Sequence, residues 1–172
     1  NNTMQRLIKI NDIIKKFDKK IEVDGDKSLS IRFALLASQA IGKSKAFNIL
    51  QSADLMSSLK VLRQLGIKIQ LKKNYCEIIG QGVNGFHYKK NLTLDAENSG
   101  TLGRCILGAL VRSPYKIKLI GDNSLSKRDF SRIIEPLQKF GATFYPKEKK
   151  TLPIYIKGTN FIRPIKFQDN IG

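Results

Sequence analysis

The feature that most constrains this chain is that it is written twice. "LKVLRQLGIKI" (59–69) resembles "IEPLQKFGATF" (134–144), so that Gly66 falls on Gly141. Upstream, "DGDKSLSIRFALLASQAI" (24–41) lines up with "DAENSGTLGRCILGALVR" (95–112), and with a one-residue gap Arg32 falls on Arg104. The two alignments give a period of 72 to 75 residues. Self-similarity at a fixed period marks a supersecondary unit that needs neighbours to cover its apolar face. The order within each copy is strand, polar turn, helix, strand, polar turn, helix, strand, strand. That order predicts an α/β (α+β) protein of repeated βαβαββ units.

In the first copy a strand is expected over 20–24. A helix follows over 28–41, apolar at Leu29, Phe33, Leu36, Ala37, Ala40 and Ile41, one face at 3.6-residue spacing. "KAFNILQ" (45–51) reads as a strand. Ser52 is placed to cap a second helix, apolar at Leu55, Leu59, Leu62 and Leu65 and closed by Gly66. "IKIQL" and "YCEIIG" read as paired strands. The second copy repeats this with "LTLD", a helix over 100–112 stopped by Ser113-Pro114, "YKIKLI", a helix over 129–140 closed by Gly141, then "ATFY" and "PIYIKG". A third copy begins in "IKFQDNIG" (165–172), which resembles "LTLDAENSG" (92–100), and the chain stops where its first helix is due. The expectation is therefore a fragment: two complete repeats, about 23–91 and 92–164, plus the start of a third over 165–172. Helices inside and strands outside, stacked around an axis, suit such units better than a solenoid, which needs capping repeats.

Composition narrows the function classes. Apolar residues make up 41% of the chain, ordinary for a folded domain. No run approaches the length of a membrane span, and "NNTMQRLIKINDIIKKFDKK" lacks the apolar core of a signal peptide. The two cysteines, Cys76 and Cys105, lie in apolar patterns and are expected to be buried thiols. The single histidine, His87, leaves no zinc signature and no Ser-His-Asp set. A net charge of +17, from 31 Lys+Arg against 14 Asp+Glu, points to anionic partners. A basic nucleic-acid-binding module stays open as an alternative. The excess lysine is spread along the chain rather than interleaved with aromatics. "GKS" at 42–44 is no P-loop, because residue 37 is Ala and a helix precedes it where a strand is required.

"VDGDKSLSIR" (23–32) crowds Lys27, Ser28 and Arg32 at a strand-to-helix junction. Free backbone N–H groups at a helix start attract anions, and the side chains add donors at the same place. Taken alone, the stretch reads more simply as an N-cap with solvated charges. The second copy offers a matching junction at Gly100-Thr101.

Four segments together carry a resemblance. "GDKSLSIR" (25–32), "SADLMSSLKVLRQLG" (52–66), "NSGTLGR" (98–104) and "GDNSLSKRDFSRIIEPLQKFGA" (121–142) resemble, in order and spacing, the signature segments of the 5-enolpyruvylshikimate-3-phosphate synthases. The likeness runs from about residue 20 to the end. The related UDP-N-acetylglucosamine enolpyruvyl transferases share the repeat but carry Ala-Lys-Asn where this chain has Asp26-Lys27-Ser28, and they remain the alternative within this class.

The resemblance implies transfer of the enolpyruvyl group of phosphoenolpyruvate to the 5-hydroxyl of shikimate 3-phosphate. Phosphate is released by addition and elimination through a tetrahedral intermediate, and no metal or organic cofactor takes part. It implies the inside-out α/β barrel of that family, two domains of three repeats each closing over the substrates. Residues 1–22 would belong to the other domain, and 23–172 would be an incomplete enolpyruvyl transferase domain. The partners implied are the two small anionic substrates and the missing C-terminal half, with neither nucleic acid nor membrane. The enzyme would be cytoplasmic and monomeric at full length.

By the same resemblance Lys27 is the catalytic residue and contacts both substrates. Ser28 and Arg32 hold shikimate 3-phosphate, while Gly100 and Arg128 hold phosphoenolpyruvate in space that glyphosate also uses in the family. Asn98 and Thr101 are substrate contacts that serve equally well as turn and cap residues. Arg104 maps to a family arginine, and a structural ion pair is its plainer reading. A Ser-Ala-Gln segment and the acidic residues that move protons would follow beyond this chain, so the chain alone is expected to be inactive. Asp54 and Asp122 read as helix-start and turn residues.

The chain departs from the family pattern at Asp24, where proline is preferred, at Ile31, where histidine is usual, and at Glu97, where glycine is common. Leu102-Gly103, Cys105 and Asp129 also depart from it, and the Asp129 carboxylate is expected to pair with Arg128 and compete for it.

Overall fold

The computed structural model describes residues 19–22, 27–47, 52–73 and 75–159. They divide into two compact units, with the division between His87 and Tyr88. The first unit contains β1 (Lys19–Glu22), α1 (Lys27–Gln39), β2 (Ile41–Phe47), α2 (Ala53–Gln64), β3 (Lys68–Leu71) and β4 (Tyr75–Gln81). The second contains β5 (Thr93–Asp95), α3 (Gly100–Ala109), β6 (Lys116–Ile120), α4 (Ser131–Phe140), β7 (Thr143–Tyr145) and β8 (Ile154–Lys157). Short 3-10 turns at Leu110–Arg112 and Leu125–Lys127 complete the second unit.

The repeat in the sequence is a repeat in the backbone. The sheets run β1-β2-β4-β3 and β5-β6-β8-β7, the same order twice. In each, the first pair is parallel, joined by a helical crossover, and the other two pairs are antiparallel. Strand alternation then decides which side chains go inward. In the second sheet Leu94, Ile117, Leu119, Phe144, Ile154 and Ile156 all face the core. The opposite face carries Lys116 over the ring of Tyr145 and Lys118 over that of Tyr155. In the first sheet Lys43 and Lys45 both approach Glu77 on the neighbouring strand. The lysine excess is thus partly spread over sheet faces, as solvated stems stacked on aromatics or paired across strands.

The second helix of each unit follows its apolar spacing. Leu55, Leu59, Leu62 and Leu65 are completely buried, each contributing about 1.5–3 kcal/mol of apolar transfer. Ser52 caps α2, its Oγ accepting from the Leu55 N–H at 3.1 Å. Gly66 and Gly141 follow α2 and α4 at φ 87° and 112°, the left-handed region in which glycine is at ease. In α4, Ile134 and Leu137 face inward with Phe130 just ahead of the helix.

Lys19–Glu22, ahead of the domain boundary expected at residue 22, is an edge strand of the first sheet, in register with Ser44–Phe47. Other expectations are corrected. The strand read over 45–51 begins at Ile41, because Ile41–Lys45 pairs with Gln81–Glu77 of β4. Helix α1 accordingly ends at Gln39, and its C-terminal turn lies directly on Gly80, where any Cβ would meet the carbonyl oxygens of Ala37 and Ala40. Leu36 and Ile41, counted on the helix's apolar face, are 40% and 46% exposed. The inward face is Ile31, Phe33, Ala34, Leu35 and Ala37. Cys76 is buried as expected, but Cys105 is exposed: Leu102 and Ile106 point inward one turn apart, which turns Cys105 away. The start of the third repeat (165–172) and Asp24 lie outside the described residues. Among the described residues no helix is long and apolar enough to cross a membrane.

Candidate functional site

The site in the second unit grows from a parallel strand pair. Strands β5 and β6 run side by side, so the loops that follow them leave from the same end of the sheet. Carboxyl ends of parallel strands are the usual place for ligand sites in α/β folds. The two loops are laced together. The Ala96 N–H donates to the Ile120 carbonyl at 2.9 Å, and the Asp122 N–H donates to the Glu97 carbonyl at 2.8 Å. Asn98 Nδ2 donates to Asp122 Oδ2 at 2.7 Å. Asp122 Oδ1 accepts from the Leu125 N–H at 2.7 Å, which caps the 3-10 turn leading to Arg128.

The first loop ends at helix α3. Ser99, 1% exposed, is its N-cap, and its Oγ accepts from the Leu102 N–H at 3.1 Å. Thr101 stands in the first turn and is not the cap. The helix supplies no partner for the N–H groups of Gly100 and Thr101, which form its positive end. Gly100 is where the second loop arrives. A Cβ on Gly100 would lie 2.8 Å from Nη1 of Arg128 and 3.5 Å from both terminal nitrogens of Arg104. Two guanidinium groups therefore meet over one helix start. Arg104 was read as a structural ion-pair residue. It forms no salt bridge among the described residues, and its guanidinium lies at the helix start instead.

Of the neighbouring carboxylates, Asp129 turns to Ser131, and Asp122 acts on Arg128 through a Coulombic interaction. Asp129 was expected to pair with Arg128. Its Oδ1 instead accepts from the N–H and the hydroxyl of Ser131, the N–H at 2.8 Å. Those bonds hold its carboxyl below the ordinary value, helped by the charges of Lys150 and Arg132. Asp122 is held below its ordinary value chiefly by the Leu125 N–H, then by Asn98, with Arg128 adding a Coulombic contribution. Gly103, one of the departures, lets Phe130 approach: a Cβ there would sit 3.2 Å from the ring. Glu97, another departure, has φ 50°, the left-handed conformation that explains why glycine suits this position.

In the first unit Lys27 and Ser28 are the first two residues of α1. Arg32 is exposed on the same helix, and adjacent Ile31 is buried in the core. The structure thus gathers Asn98, Gly100, Thr101 and Arg128 of the expected set, and adds Ser99, Arg104 and Asp122. Sequence reasoning assigned Asp122 only to its own turn, because its partner Asn98 lies 24 residues away. The described cleft of about 380 Å³, lined by Arg63, Lys68, Gln70, Glu77 and neighbouring isoleucines, lies elsewhere, on the first unit.

A twice-repeated βαβαββ unit, with two arginines gathered at a glycine helix start, defines the class of α/β protein to which this chain belongs. Residues 11–171 match the family model described as EPSP synthase (3-phosphoshikimate 1-carboxyvinyltransferase), and the chain belongs to that family. It is 36% identical over 162 residues to a 3-phosphoshikimate 1-carboxyvinyltransferase of Streptococcus suis, covering 94% of this chain and 38% of that protein. A protein of the same description from Syntrophomonas wolfei is 38% identical over 160 residues, covering 93% and 37%. The solved EPSP synthase of Acinetobacter baumannii superposes with a TM-score of 0.76 at 33% identity, covering 89% of this chain and 35% of that one. The chain spans little more than a third of the length of these relatives, and its fold is that of the corresponding part of the EPSP synthases.

Proposed function

We propose that this chain contributes substrate contacts to the transfer of the enolpyruvyl group of phosphoenolpyruvate to the 5-hydroxyl of shikimate 3-phosphate, with release of phosphate. Four anionic groups must be held in that reaction, which calls for helix starts and guanidinium forks. Arg128 and Gly100 take phosphoenolpyruvate, with Asn98 and Thr101 beside them. Ser28 and Arg32 take shikimate 3-phosphate, and Lys27 contacts both and is the catalytic residue. The observation that carries this reading is the pair of guanidinium groups over Gly100. Their mutual repulsion is relieved when an anion sits between them and the helix N–H groups.

The chain by itself does not turn these substrates over. Asp122 and Asp129, two of the carboxylates beside the site, are committed to hydrogen bonds and stay ionised near neutrality, so neither serves as a general acid. The groups that move protons belong to the remaining length of the family. The complete protein is cytoplasmic and monomeric in this reading.

Calorimetric titration of the chain with each substrate tests the assignment. Weak saturable binding is expected, on the order of millimolar. Lys27→Ala and Arg32→Ala should remove shikimate 3-phosphate binding, and Arg128→Ala that of phosphoenolpyruvate. Variants that bind both compounds like the parent would refute it.

A further inference from the structure

We propose that Asp122 is a positioning residue that sets Arg128 over the start of α3 by locking together the two loops that carry the arginine and Gly100. This rests on the reading of that helix start as the phosphoenolpyruvate site. The lock has three parts around one residue. Asp122 Oδ1 caps the turn beginning at Leu125, whose side chain is completely buried, so the turn is anchored in the core. The same turn ends at Arg128. Asp122 Oδ2 takes the Asn98 amide, next to the α3 cap Ser99. Its backbone N–H reaches the Glu97 carbonyl. Both carboxylate oxygens are therefore engaged from two loops, and neither is aimed at a ligand.

A bond to a charged acceptor is about twice as strong as a neutral one, which suits a lock between exposed loops. Asp122→Ala is the informative variant. It leaves the Leu125 N–H and the Asn98 amide without their acceptor. Asp122→Asn is the conservative variant: it keeps an acceptor for the Leu125 N–H, and the Asn98 amide, turned over, accepts from the Nδ2 at residue 122, so both loops stay bonded at neutral strength.

The experiment uses the chain as it stands, with two readouts. Without ligand, the ¹⁵Nε–H resonance of Arg128 should be a single ordered signal in the parent. It should broaden in Asp122→Ala and largely recover in Asp122→Asn, while the resonances of the first unit stay in place. With phosphoenolpyruvate as the probe, Asp122→Ala should weaken binding about tenfold and Asp122→Asn should keep most of the parent's affinity. An unchanged Arg128 signal in Asp122→Ala, or a signal in Asp122→Asn as broad as in Asp122→Ala, would overturn the proposal. If the Arg128 signal behaves as expected but Arg128→Ala binds phosphoenolpyruvate as the parent does, the lock stands and the assignment of the ligand is what fails.

Discussion

Arg128 reaches Gly100 across two loops: the arginine Nη1 lies 2.8 Å from the position that the first side-chain atom at residue 100 would take. A side chain here would oblige the tip of Arg128 to shift. Gly100 is also the first residue of a helix, where alanine is tolerated by the backbone. Gly100→Ala should therefore separate stability from binding. We expect the melting temperature to hold or rise slightly, and phosphoenolpyruvate affinity to fall about tenfold as Arg128 is pushed aside. Calorimetry and thermal denaturation of the same preparation check both halves.

Glu97 occupies the left-handed region at φ 50° in the loop before that helix. Holding a non-glycine residue there costs about 1–2 kcal/mol, partly offset by the greater freedom of a glycine in the unfolded chain. Glu97→Gly should gain up to about 1 kcal/mol in urea denaturation. Glu97→Val, which adds β-branching at the same φ, should lose stability.

Much of this architecture was legible because the repeat and the leucine spacing act locally. Ser52, Leu55, Leu59, Leu62, Leu65 and Gly66 each do in the structure what their spacing demands. What was hidden depends on pairing across the chain. Ile41 continues the apolar pattern of α1, yet its backbone belongs to a strand because Gln81 lies opposite. Cys105 sits in an apolar run, and only the rotation of α3 shows that it faces out. The strand expected over 20–24 was legible, but its pairing with Ser44–Phe47 rests on backbone bonds that no side-chain pattern records. Half of the candidate site was visible as motifs. The Asp122–Asn98 bond and the turn of Asp129 toward Ser131 were not, since an acidic residue beside an arginine suggests an ion pair until the nearer N–H donors are located.

Acid should weaken the second unit through its two lowered carboxyls. Asp122 and Asp129 ionise more readily folded than unfolded, so their contribution is complete above the ordinary carboxylate value of about 4 and is lost as pH falls through their lower folded values. Stability measured by denaturant titration should fall with pH in that window. Replacing both residues with asparagine should flatten the fall.

The two thiols should behave oppositely. Cys76 is fully buried, and burial pushes its thiol up to about 11, against the opposing charge of Arg63. Cys105 is exposed. A thiol reagent at neutral pH should modify Cys105 rapidly and Cys76 only after unfolding. Because the unfolded Cys76 ionises near 8.5 and the folded one near 11, folding should lose stability as pH rises between those values.

The most direct test follows the backbone amides of Gly100 and Thr101 and the side chain of Arg128 by ¹H–¹⁵N spectroscopy while phosphoenolpyruvate is added. Saturable shifts confined to those signals and their loop neighbours, abolished by Arg128→Ala, are the predicted result. Small unsaturable shifts spread over the lysines of both sheets, unchanged by that substitution, would contradict the account.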